Sequence, residues 1–135
     1  MNKHLFPKLP EPFPGIDDVK GMRAYLYCRA AHDDGISLEL QKTDLLHFAE
    51  KKGLVIVGIA VEHAGGRTLN RCALNEVSQA VCSGQVDMVL AKSCSRISRD
   101  FWKLQEYVSF LGEHGTALCC MQEQLMFREE GLLLC

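Results

Sequence analysis

Six basic residues between positions 67 and 103 (Arg67, Arg71, Lys92, Arg96, Arg99 and Lys103) stand against three acids, Glu76, Asp87 and Asp100, a local excess of +3. The whole chain has the opposite sign, with 15 Lys and Arg against 17 Asp and Glu and a net charge of −2. Arginine is the side chain best suited to phosphate, because its planar guanidinium presents paired N–H donors to two oxygens at once. Arg29, which closes the first predicted strand, extends the set to Arg29, Arg67, Arg71, Lys92, Arg96 and Arg99 if the first three strands lie side by side. Such a cluster suits a phosphate or a phosphodiester. A solvated charged rim accounts for the same spacing equally well.

The elements that must position these residues alternate between strand and helix. Arg23–Ala30 reads as a strand. Ser37 is placed to cap a helix over Ser37–Lys52 that carries an apolar stripe and stops at Gly53. Leu54–Val61 is an almost unbroken apolar run, the pattern of a strand covered on both faces. A second helix is expected over Arg71–Ser83, stopped by Gly84, and a third strand over Val86–Ala91. The polar stretch Lys92–Ser98 leads to a third helix over Arg99–His114, ended by Gly115, with Trp102 or Leu104, then Val108 and Leu111, on its apolar side. Thr116–Met121 is a fourth strand and Leu125–Phe127 a short edge strand. This order predicts an α/β fold, a three-layer sandwich around a mostly parallel sheet of four to five strands. In such sheets the functional crevice lies beyond the C-terminal ends of the strands. The connections carry neither GxGxxG nor GxxxxGK[ST], so a nucleotide-binding reading is weak.

Composition narrows the class further. With 135 residues, 47% hydrophobic and 24% charged, the chain fits one folded domain. No apolar run reaches the roughly 18–20 residues of a membrane span. All four prolines fall within the first 14 residues. Residues 1–22 therefore read as a Pro-rich arm outside the sheet, 23–128 as the domain and 129–135 as a tail. The seven cysteines include no CxxC pair and no zinc-knuckle spacing. They read as small buried hydrophobes of a reducing, cytoplasmic compartment, with a metal or redox site as the alternative. No metal or other cofactor is expected.

Three segments in order resemble the resolvase/invertase (serine recombinase) catalytic domain, over roughly Arg23 to Gln124. The family's Y-x-R-V-S strand end and S-L-x-x-Q helix start correspond to Tyr27-Cys28-Arg29-Ala30-Ala31 and Ser37-Leu38-Glu39-Leu40-Gln41. Its D-x-x-S-G segment corresponds to Glu62-His63-Ala64-Gly65-Gly66, followed by Arg67 and Arg71. Its (D/S)-R-(L/I)-(G/S)-R-(D/N) motif corresponds to Ser95-Arg96-Ile97-Ser98-Arg99-Asp100 and is the most specific match.

The resemblance implies DNA strand exchange, in which a serine hydroxyl attacks a phosphodiester and becomes joined to the 5′ phosphate. It implies that Arg29, Arg71, Arg96 and Arg99 hold the scissile phosphate, that Gln41 supports the site and that Glu62 takes the place of an aspartate. Arg67 and Lys92 join the phosphate-binding set. The nucleophile position is Ala31, which has no hydroxyl, and Gly65 stands where a serine is usual. Cys28 shares a strand face with Ala30, opposite Arg29, and should point away from the arginines. Ser93, Ser95 and Ser98 are the remaining nearby hydroxyls. The expectation is a degenerate, inactive recombinase domain, from a mobile element or a truncated gene, without the family's dimerising helix and DNA-reading domain. Its expected partners are the DNA phosphate backbone, held weakly and without sequence preference, and a second copy or an intact recombinase. The alternative is an interaction or accessory module that keeps the fold without DNA chemistry.

Overall fold

The structure, a computed structural model, describes residues 11–12, 15–30, 35–63 and 72–127. Its elements run β1 (Glu11–Pro12), α1 (Ile16–Val19), β2 (Arg23–Ala30), α2 (Gly35–Lys52), β3 (Val55–His63), α3 (Cys72–Cys82), β4 (Met88–Ala91), α4 (Cys94–Ile97), α5 (Phe101–Glu113), β5 (Ala117–Cys120) and β6 (Leu125–Phe127). The strands form one sheet in the order β1-β6-β5-β4-β2-β3. β2 pairs in parallel with both β3 and β4, and β4 with β5, while β6 and β1 are antiparallel additions. The first three predicted strands are therefore neighbours, with β2 in the middle.

Strand alternation divides the core in two. Ala24, Leu26, Cys28 and Ala30 of β2 face Leu38, Leu45 and Ala49 of α2. Tyr25 and Tyr27 face the other way, among Leu74, Val77 and Val81 of α3 and Leu104, Val108 and Leu111 of α5. Helices thus cover both faces, which is the sandwich expected from the alternating pattern. Adjacent Cys119 and Cys120 fall in opposite layers, as a period of two requires.

Several local expectations are corrected. The helix reading from Ser37 starts two residues earlier, at Gly35, so Ser37 lies within its first turn rather than at its cap. The Pro-rich segment does enter the sheet: Glu11 and Pro12 pair with Met126 and Leu125. Proline is tolerated there because an edge strand leaves one side without a ladder to complete. The polar stretch before the third helix contains a short helix of its own, α4. Leu104, not Trp102, takes the core position on α5, and Trp102 is 56% exposed.

The largest departure concerns β3. Its apolar run is not covered on both faces. Val55, Ile56, Val57 and Val61 are 39–50% exposed, because among the described residues β3 lies at the edge of the sheet with β2 as its single neighbour. The register also slips there. Ala24 pairs with Ile56 but Tyr25 with Gly58, leaving Val57 as the extra residue of a bulge. Gly58 lies under the Tyr25 ring, where a Cβ would sit 2.5 Å from Cζ. The Tyr25 hydroxyl hydrogen-bonds the Glu76 carboxylate on α3, which fixes the ring over the bulge.

The N-terminal end of the sheet is held by an ion pair. Asp87 Oδ2 accepts from the Arg23 backbone N–H at 2.8 Å and from Nε at 3.1 Å, and Oδ1 accepts from Nη2 at 3.0 Å. These bonds hold the Asp87 carboxyl below its ordinary value.

Two predictions follow from this packing. Gly58→Ala should cost about 1–3 kcal/mol in urea denaturation, and much less in a Tyr25→Ala background, where the ring it strikes is gone. Asp87 has a folded-state pKa below its ordinary 3.8, so its contribution is present above that value and lost as pH falls through the folded value. Asp87→Asn should therefore be less stable than the unmodified chain at neutral pH. The gap should close in acid, as followed by circular dichroism.

Candidate phosphate site

The C-terminal end of the sheet, where the polar residues are expected to converge, is organised by Arg29. β4 ends at Ala91, opposite Tyr27, so β2 runs past it toward Ala30. Beyond that point the Gln41 side chain of α2 supplies the donor and acceptor that a strand would have supplied. The Arg29 N–H donates to Gln41 Oε1 at 3.2 Å, and Gln41 Nε2 donates to the Arg29 carbonyl at 3.1 Å. Both residues are 1% exposed. Buried backbone polar groups need such partners, and the amide side chain has both halves of a peptide group.

The Arg29 guanidinium turns toward α4. Its Nε donates to the Arg96 carbonyl at 2.7 Å and its Nη2 to the Ser95 carbonyl at 2.6 Å. Arg96 returns the contact, with Nη1 donating to the Arg29 carbonyl at 3.2 Å. The two arginines are thereby locked together although 67 residues separate them. In this arrangement Arg29 sets the shape of the turn that bears Arg96.

The rest of that turn explains its sequence. Ile97 is fully buried and anchors α4 in the core. The Ser98 hydroxyl accepts from the Asp100 N–H at 3.0 Å. The Asp100 carboxylate accepts from the Trp102 and Lys103 N–H groups at 3.0 and 3.1 Å, capping α5. Arg99, between these two structural residues, is exposed. Lys92 is half-buried, with Nζ 3.9 Å from an Asp44 carboxylate oxygen. Of the nearby hydroxyls, Ser93 and Ser95 hydrogen-bond each other at 2.8 Å.

Glu62 stands opposite Arg29 in the β2–β3 register. Its Oε1 accepts from the Ala73 and Leu74 N–H groups at 3.0 and 3.2 Å, so its carboxylate caps the start of α3 from a neighbouring strand. Spacing alone offered no signal for this cap, since helix and carboxylate meet only through the fold. Cys28 faces α2, away from the guanidinium of Arg29, and burial pushes its thiol up to about 11. Ala31, Arg67 and Arg71 lie outside the described residues.

The family model described as Resolvase, N terminal domain matches residues 24–133, most of the chain. The chain belongs to the resolvase N-terminal domain family. Solved structures of similar fold agree. The C-terminal catalytic domain of ISC1926 TnpA, an IS607-like serine recombinase, is 25% identical, with a TM-score of 0.69 over 74% of this chain and 67% of that one. The N-terminal catalytic domain of TP901-1 integrase is 20% identical, with a TM-score of 0.72 over 77% and 80%. A resolvase family site-specific recombinase from Streptococcus pneumoniae is 23% identical, with a TM-score of 0.70 over 84% and 80%. No curated protein matches the chain.

Within this resolvase domain the Gln41 clamp is directly testable. Gln41→Ala should leave the buried Arg29 N–H without its acceptor and cost about 1–3 kcal/mol in urea denaturation. Because Arg29 carries the α4 carbonyls, amide exchange at residues 94–98 should speed up in the same variant.

Proposed function

We propose that this chain is a serine recombinase catalytic domain that has lost strand-cleaving chemistry and keeps contact with the DNA phosphate backbone. The observation that carries this reading is the residue at position 31. Cleavage requires a hydroxyl oxygen to attack phosphorus, expel the 3′ oxygen and take the 5′ phosphate as a covalent ester. Ala31 has no atom that can form that ester, and removing a nucleophile costs roughly 10⁶ in rate even in hydrolases with other routes to product.

Charge stabilisation of a phosphoryl group is a separate task from nucleophilic attack. Arg96, Arg99 and Lys92 supply positive charge around the α4 turn, and Arg67 and Arg71 would add to it. Arg29 and Gln41 would act beneath them as positioning residues, holding the Arg96 turn in place. Glu62 would hold the start of α3, next to Arg71 in sequence. Phosphate binding of this kind is independent of base sequence.

The second reading, an accessory module that keeps the fold without DNA chemistry, has one observation in its favour. The exposed apolar row of Val55, Ile56, Val57 and Val61 is the kind of edge that folded proteins ordinarily cover or charge.

The two readings separate by salt titration on plain duplex DNA. Backbone contact predicts affinity that falls with salt, and Arg96→Ala with Arg99→Ala should lower the log–log slope by about 2. Binding undetectable at low salt would favour the accessory module. Fused to a DNA-binding domain, the chain should form no covalent protein–DNA adduct. An adduct from the Ala31 protein would overturn the loss of chemistry, whereas Ala31→Ser tests whether the rest of the site remains competent.

A further inference from the structure

The sequence has no CxxC pair, but the fold brings two distant cysteines together. Cys94 is the first residue of α4 and Cys120 the last of β5, and their Sγ atoms lie 2.8 Å apart. Cys120 is buried and Cys94 half-buried. A carboxylate oxygen of Glu123 lies within 4.8 Å of both sulfurs. Two cysteine ligands on one tetrahedral zinc would stand about 3.8 Å apart, given a Zn–S bond of about 2.3 Å. The observed separation is too short for that and leaves the sulfurs only a small movement from bonding.

We propose that Cys94 and Cys120 form a reversible dithiol/disulfide couple that ties the Arg96-bearing turn to the sheet, with a small-molecule disulfide as the oxidant. The Cys94 thiolate attacks one sulfur of the oxidant, whose S–S bond breaks, and the departing thiolate takes a proton from water. Cys120 then gives its proton to water and attacks the Cys94 sulfur of the mixed disulfide, expelling the second small thiolate, which takes up a proton from water in turn. Two protein thiols are oxidised, and one small disulfide becomes two thiols. The order follows from access, since Cys94 is the less buried of the two residues. Its thiol is also held low by a hydrogen bond from Cys120, whose own thiol that contact and burial push up. The bond would fasten the residue preceding Ser95 and Arg96, whose carbonyls hold Arg29. The chemistry stands whether or not the domain binds DNA.

The test uses the full chain, oxidised glutathione as the probe and non-reducing peptide mapping by mass spectrometry. The expected product is a Cys94–Cys120 cross-link with a mass loss of two hydrogens, reversed by dithiothreitol. It should survive Cys119→Ser and disappear in Cys120→Ala. Fragmentation of the unmodified chain's cross-linked peptide assigns the sulfur independently, should that variant fail to fold. In the oxidised form amide exchange at residues 94–98 should slow. A glutathione adduct that persists on Cys94, or reaction confined to exposed Cys72 and Cys82, would overturn the proposal. So would stoichiometric zinc binding that protects Cys94 and Cys120 and blocks the cross-link.

Discussion

The C-terminal end of this sheet depends on one buried residue. Arg29 extends β2 beyond β4, so its backbone has lost a strand partner where water does not reach. Gln41 replaces that partner from α2, and the Arg29 side chain then holds the α4 carbonyls. A guanidinium removed from water is costly unless its donors are met, and carbonyls fixed by a helical turn meet them without having to be ordered for the purpose. Strand β2, helix α2 and the α4 turn are thus joined through the backbone and the side chain of one residue. The position of Arg96 follows from that junction.

The same logic separates residues that look alike in the sequence. Arg29 and Arg99 are both arginines of the predicted phosphate set. One is 1% exposed and organises the turn, whereas the other stands exposed between Ser98 and Asp100, both of which serve the backbone. Glu62 reads as an acid at a catalytic position, yet its oxygen caps α3. A polar residue at such a position can be needed because it shapes the surface, without itself meeting a ligand.

Much of the architecture was legible in advance because it depends on local rules. Periodicity of two and of 3.6 separated strands from helices, and the predicted stops at Gly53, Gly84 and Gly115 all adopt positive φ, of 72°, 74° and 70°. The opposite facing of Cys28 and Arg29 needed nothing beyond alternation. The failures were non-local. Leu54–Val61 has the composition of a central strand, but composition does not encode neighbours, and the strand lies at an edge. Pro12 looked excluded from any sheet, yet an edge position asks for no N–H toward solvent. Cys94 and Cys120, 26 residues apart, had no motif to announce them.

The sequence by itself determined the family, the α/β alternation and the absence of a hydroxyl at position 31, because each is a property of residue type and short-range spacing. Only the tertiary structure decided which arginine is buried and which exposed, that Glu62 caps a helix, and that two distant thiols meet. Those outcomes depend on strand order and on where each strand ends. Strand order is set by the summed burial of whole elements against one another, a quantity that no short window of residues contains.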